Sequence, residues 1–343
     1  MATRLSERRK PLMTSIKDIA KKAGVSISTV SYALNGSERI MKETAERILA
    51  IADELGYVPH GAARRLKKRE SMLVGIYLTN YGGHFYGSLL QGVKDELNRR
   101  GYDLIVCSGM RSHRLIPERT FDGTIVLDSE FTDEELLDYA ERGHKLVVLD
   151  RELAHPHINQ VLLDNKAGAS LAMEHLLEQG YERIYVVGGP EDAYDARQRL
   201  RAVRQVMDRS PGTEFRMIPG SFQKKSGYAA GKTIADEYDR PSGVFCLNDE
   251  MAIGLYEYLE EHTSLQVGEH VHLIGFDNIE PGRYMRPKLA TIDYSLTKWG
   301  AVAAEQLLKL IDGEPLEPER VYVRLVEGGS VRPLPDKKQE QPN

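Results

Sequence analysis

The first sixty residues carry apolar side chains at the three-and-four spacing of helices. Ser15 and Asp18 form the pattern of a capping box, and Ile16, Ile19, Ala20 and Ala23 follow on one stripe. Gly24 ends that helix, because glycine accepts the left-handed geometry of a tight turn. Ser26 is placed to cap a second helix that turns Val30, Ala33 and Leu34 inward. A third run, KETAERILAIADELGY, aligns Ala45, Ile48, Leu49, Ala52 and Leu55. Three short helices enclosing a small core, with a turn between the first two, predict a helix-turn-helix unit over residues 14–58. In such a unit the outward face of the second helix enters the major groove, and here it offers Ile27, Ser28 and Tyr32.

Beyond Met72 the pattern changes to apolar runs of strand length: MLVGIYLTN, YDLIVCSG, GTIVLD, KLVVLD, VLLD, RIYVVGG, GVFCLND and HLIGFD. Helical stretches such as FYGSLLQGVKDELNRR, NKAGASLAMEHLLEQG and DEMAIGLYEYLEEH lie between them. This alternation predicts doubly wound parallel sheets, and the length exceeds what one such sheet needs. Ligands of open parallel sheets gather at the carboxyl ends of strands, where Asp150, Asn248, Asp249 and Asp277 stand. Asn248 and Asp249 fit a helix cap equally well, and Asp150 fits a salt bridge beside Arg151.

Charge sharpens the division. Residues 1–70 carry 15 Lys+Arg against 8 Asp+Glu, whereas the whole chain has a net charge of -5. A basic head on an acidic body points to a polyanionic partner for the head alone. No run approaches the roughly 18 apolar residues of a membrane span, and MATRLSERRKPL lacks the apolar centre of an export signal, so a cytoplasmic protein is expected. Cys107 and Cys246 sit in apolar runs and read as buried thiols. GxSxG, HExxH and a phosphate-binding loop are absent, which argues against an enzyme. His84, His113, His155 and His157 show no pair at helical ligand spacing beside a carboxylate, so neither a metal nor a cofactor is expected.

The stretch IKDIAKKAGVSISTVSYALNG is similar at nearly every position to the N-terminal signature of the LacI/GalR family of bacterial repressors. The resemblance implies an all-α N-terminal helix-turn-helix head on an α/β, periplasmic-binding-protein-like, two-lobed body. It implies DNA contacts from Ser26, Ile27, Ser28, Thr29, Tyr32 and Asn35. Many relatives carry arginine, which pairs bidentately with guanine, where this chain has Tyr32, so the family's half-site does not carry over to this chain. YVPHGAARRLKKRES resembles the family's hinge, residues 59–70, with His60, Ala63 and Arg64 on DNA and Leu66 wedged into the minor groove. So short a helix is expected to fold only on the duplex.

In the body the resemblance sets a first lobe at about residues 71–163 and 294–322 and a second at about 164–293 and 323–332. Between them it implies a small-molecule effector, a sugar or sugar derivative, held by Asp150, Arg199, Asn248 and Asp277 and faced by Phe85, Tyr86 and Phe222. Those aromatic residues fit a role in the core as well. Gly83-His84 replaces the Asn-Pro usual in relatives, and SGMRSHRLIPERTFDG is short where relatives carry a longer helix. Residues 1–13 are expected to form a flexible basic arm or, alternatively, to precede a start at Met13, and 333–343 are expected to form a disordered tail. The expected whole is a homodimeric repressor on a near-palindromic operator, released by its effector or, alternatively, driven onto DNA by it. Two other classes fit the pattern: a regulator of this type that answers a protein, and a cytoplasmic solute-binding protein.

Overall fold

The computed structural model describes residues 14–37, 39–57 and 70–334. The expected arm, the hinge positions His60, Ala63, Arg64 and Leu66, and residues 335–343 lie outside the described residues. Two units divide the chain after Ser71.

The first unit comprises helices α1 (Ile16–Ala23), α2 (Ile27–Leu34) and α3 (Lys42–Glu54). Its core is Ile19, Ala20, Ala23, Val30, Ala33, Ile48 and Ala52. The Asp18 carboxylate accepts both the backbone N–H of Ser15, at 2.8 Å, and its hydroxyl, at 2.7 Å. Gly24 closes α1 at φ 67°, and the Val25 amide returns to Ala20 O at 3.1 Å. Leu49 departs from expectation, being 46% exposed. It lies about 100° around the helix from Ile48, past the sector that α1 and α2 cover.

The second unit holds two six-stranded sheets. Strands β1 (Leu73–Leu78), β2 (Asp103–Cys107), β3 (Gly123–Leu127), β4 (Leu146–Val148), β5 (Ile158–Leu163) and β11 (Glu319–Val321) form the first, in the order β11-β5-β4-β3-β1-β2. The second contains β6 (Arg183–Val187), β7 (Glu214–Ile218), β8 (Ser242–Cys246), β9 (Val271–Phe276), β10 (Ala290–Asp293) and β12 (Arg324–Val326), in the order β12-β10-β9-β8-β6-β7. All pairings are parallel except β10 with β12. The chain passes from the first sheet to the second after β5, returns after β10 and crosses again between β11 and β12. Central strands such as β8 and β9 are buried along their whole length, which is why they are continuous aliphatic runs.

Helices α4 (Phe85–Arg99), α5 (Asp133–Glu141), α6 (Asn165–Glu178), α7 (Tyr194–Met207), α8 (Lys224–Asp236), α9 (Asp249–His262), α10 (Glu280–Tyr284) and α11 (Leu296–Asp312) connect the strands. Helix α11 packs so tightly on α4 that a Cβ at Gly92 would stand 1.9 Å from Thr297 O, and one at Gly300 2.1 Å from Leu89 O. Only glycine fits that crossing. Trp299 of α11 is fully buried and donates its indole N–H to Val161 O of β5 at 2.8 Å, which fixes the helix to the first sheet. Cys107 and Cys246 are buried free thiols. Leu334 packs against the core and donates its amide to Gln179 O at 3.1 Å, so the tail expected from Pro333 is still docked there. No helix among the described residues is long and apolar enough to cross a membrane.

Candidate functional site

Two surfaces carry candidate chemistry, one on each unit. On the first, Ser26 caps α2 by accepting the Thr29 amide at 3.1 Å, and its hydroxyl also meets those of Ser28 and Thr29 at 2.7 and 2.8 Å. Ser26, Ile27, Ser28 and Asn35 are exposed, and Thr29 and Tyr32 are half-buried. The apolar side chain of Ile27 is 46% exposed and takes no place in the core of the unit. The start of α2 thus presents a helix N-terminus, hydroxyls and one apolar group, the donors and contacts that phosphates and thymine methyls accept. Asn35 turns its amide back to Ser31 O, closing the helix with the group expected to meet DNA.

On the second unit the strand-end chemistry centres on Arg199. Its Nε–H donates to Asn165 Oδ1 at 2.8 Å and a second N–H to the Leu247 carbonyl. The guanidinium lies 3.6 Å from the Phe276 ring centroid, 5.8 Å from that of Phe222 and 3.8 Å from Asp277 Oδ1. Gly168 makes room for this platform, since a Cβ there would stand 2.5 Å from the Phe276 ring. Asp277, at φ 108° just past β9, also accepts the Tyr294 hydroxyl at 2.7 Å. Asp195, one turn before Arg199 on α7, accepts the Asn165 amide at 2.7 Å.

Burial governs the ionisation of this cluster. It pushes the Asp277 carboxyl up to about 7, although Arg199 and Tyr294 oppose the shift. Burial likewise raises Asp195, partly offset by Arg199, and raises Asp150, partly offset by its bonds to Arg151. The Tyr86 phenol rises to about 12, first through burial and then through the charges of Asp128, Asp277 and Asp150. Asp128 and Asp150 follow strands of the first sheet and Asp277 one of the second, so carboxylates of both lobes act on this ring.

The expected residues divide. Arg199, Asp277 and Phe222 come together, and Tyr86 and Asp150 couple to them electrostatically. Asn248 spends its side chain on structure: Oδ1 caps α9 through the Met251 amide at 3.0 Å, and Nδ2 holds the Phe222 carbonyl at 2.9 Å. It thereby fixes the main chain at Phe222. Asp150 forms the salt bridge, accepting Arg151 Nε at 2.9 Å and a second guanidinium N–H at 3.1 Å. Phe85 packs edge-on against Tyr86 and the buried Trp299, a core placement. Bonds between the lobes include the His84 amide to Glu250 Oε1 at 2.9 Å and the Tyr194 hydroxyl to Glu152 Oε1 at 2.7 Å. Gly83, at the point of departure from Asn-Pro, takes φ 79° and stands where a Cβ would meet Glu250 Oε1 at 2.5 Å. A cavity of about 410 Å³ lies apart from this cluster, on the first lobe beside Glu152, Gln160 and Arg320. None of the Arg199 cluster lines it.

Residues 15–60 match the model described as "Bacterial regulatory proteins, lacI family", and residues 173–331 match a periplasmic binding protein-like domain. The HTH-type transcriptional repressor PurR of Vibrio atlanticus (strain LGP32) is 30% identical over 335 residues, covering 94% of this chain and 100% of that protein. The chain belongs to the lacI family. It is a regulatory protein and not an enzyme. Among solved structures of this family, a sugar-binding transcriptional regulator from Enterococcus faecalis is 45% identical with a TM-score of 0.73, covering 77% of this chain and 99% of that one. The lac repressor dimer bound to operator and the anti-inducer ONPF is 25% identical with a TM-score of 0.76, covering 92% and 98%.

Within this lacI-family body, Asn165, Asp195, Phe276 and Tyr294 belong to the cluster without having been expected from the sequence. Asp195 was detectable: an acid four residues before an arginine on a helix is a local pairing signal. The others, at the start of α6 and at strand ends, reach Arg199 only through the packing of separate elements. Asp249 is buried with both oxygens engaged, by Thr291 Oγ1 at 2.6 Å and the Ile279 amide at 2.9 Å, and so ties α9 to the neighbouring strand ends.

Proposed function

We propose that this chain is a cytoplasmic transcription repressor that binds a near-palindromic operator as a homodimer and senses a neutral sugar between its lobes. The Arg199–Asp277 cluster carries the reading. A buried guanidinium on an aromatic platform, with carboxylates from both lobes around it, offers paired donors and acceptors for the hydroxyls of a polyol. The carboxyl groups of Asp150, Asp195 and Asp277 outnumber the guanidinium groups of Arg151 and Arg199, which are already engaged by Asp150, Asn165 and Leu247, so a phosphorylated ligand is disfavoured. The sugar-binding relative and the operator-bound dimer of the lac repressor support sugar sensing and operator binding here.

Closure on the sugar alters the spacing of the two heads and weakens operator binding. Only a sugar that binds the two lobe arrangements with different affinity can do this, typically by about 1–3 kcal/mol of coupling. A thermal-shift screen of the full chain against neutral sugars and their phosphates tests the reading. A neutral sugar should raise the melting temperature by mass action. Stabilisation by phosphorylated compounds alone, or by no sugar at all, contradicts it.

A further inference from the structure

The histidine spacing along the chain gives no reason to expect a metal at His113, but the fold brings carboxylates to it. It is buried in the short 3-10 turn Met110–Leu115, and its Nε2 lies 4.0 Å from Oδ2 of the fully buried Asp128, which follows β3. Among the described residues neither atom has a hydrogen-bond partner. The gap is too long for a direct hydrogen bond, and a buried carboxylate oxygen left bare is costly. The neighbouring Arg151 does not relieve it. Arg151 is committed to the Asp150 carboxylate and to the main-chain carbonyls of Asp128 and Phe131.

Both groups are held in place. The His113 ring stacks on Phe131 at 3.5 Å between centroids, with Tyr77 edge-on at 5.9 Å. Its Nδ1 faces Glu135 Oε1 at 3.5 Å, the kind of outer carboxylate that metal-ligating histidines meet on the nitrogen away from the metal, and its Nε2 faces Asp128. Oδ1 of Asp128 accepts the Glu130 amide at 3.0 Å and the Thr79 hydroxyl at 3.3 Å, which aims Oδ2 at the histidine. The exposed Glu130 supplies a third ligand, and one donor atom from each of the three residues lies within 4.8 Å of the others.

We propose that His113, Asp128 and Glu130 bind a divalent transition-metal cation of the Zn²⁺ or Mn²⁺ kind, clipping the Met110–Leu115 turn to the end of β3. Ligands about 2.1 Å from a tetrahedral ion stand about 3.4 Å apart, so the 4.0 Å gap closes with a shift of roughly half an ångström. One imidazole and two carboxylates suit a borderline cation, and the imidazole discriminates against Mg²⁺. Three protein ligands leave coordination open to water. The site requires no sugar, so it stands or falls apart from the sensing function.

Isothermal titration of the chelator-treated full chain with ZnCl₂, MnCl₂ and MgCl₂ tests the site. One equivalent of Zn²⁺ or Mn²⁺ should bind, raising the melting temperature, and Mg²⁺ should neither bind nor compete. Glu130→Gln, at an exposed position, should weaken binding at least about tenfold while leaving the metal-free melting temperature unchanged. His113→Gln should abolish it, and His155→Gln/His157→Gln should leave it intact. Should the His113 variant fail to fold, Glu130→Gln decides. No binding by the parent chain at millimolar metal overturns the proposal, as does equal affinity in Glu130→Gln.

Discussion

Arg199→Ala removes the centre of the cleft, and its cost follows from the contacts. The guanidinium is 3% exposed, donates to Asn165 and Leu247, and covers Phe276. Hydrogen bonds to charged groups contribute about 1.5–3 kcal/mol each, and a desolvated cation–π contact about 2 kcal/mol. Desolvation of the arginine itself offsets several kcal/mol, so the net loss should be the roughly 3–5 kcal/mol typical when one partner of a buried pair is deleted. Much of that loss is the stranded Asp277 charge, which Arg199 helps to stabilise. The penalty should therefore shrink at pH 5.5, where Asp277 is protonated with or without the arginine, and be larger at pH 8. Urea denaturation followed through the buried Trp299 reads both values. A loss below about 1 kcal/mol, outside that range for a deleted buried partner, or an equal loss at the two pH values, refutes the reasoning.

Asp277→Asn tests the same charge from the other side. With its folded pKa raised from 3.8 to about 7, the native state binds the extra proton in that window, so this residue makes stability fall as pH rises from about 4 to about 7. The amide should reduce that slope, measured by denaturation midpoints between pH 5 and 8, and an unchanged slope contradicts the assignment. Asn248→Ala should cost about 1–2 kcal/mol through its cap and weaken sugar binding by releasing Phe222, whereas Asn248→Asp, which keeps the cap, should recover most of the stability. Thermal melts and sugar titrations of the two variants check this, and equal melting temperatures contradict it.

The head was legible because its signals are local: Asp18 three residues after Ser15, Gly24 at the turn and Ser26 before a helical stripe each act within a few residues. Leu49 misled because helical spacing alone does not say how wide a sector the neighbouring helices cover. Long aliphatic strands such as β8 and β9 announced themselves, whereas β7, β10, β11 and β12 are short or part-polar and sit near the sheet edges. Asp277 could be read from its place after a strand. Asn248 could not be assigned, because a cap and a ligand demand the same side chain at the same place. Phe276 and Tyr294, like His113 with Asp128, acquire their roles from packing between distant segments, which no spacing along the chain encodes.

The central claim is that the exposed start of α2 reads DNA in pairs under control of the cleft. The decisive measurement is fluorescence-anisotropy titration of the full chain onto an operator selected from random duplexes, at several salt concentrations, with and without the sugar found by thermal shift. Two chains should bind per duplex, with a loss of about 10³-fold or more in affinity between 50 and 200 mM salt. A further weakening of roughly 5–150-fold should follow at saturating sugar. Binding that ignores sequence, or that stays the same on a single half-site, contradicts it.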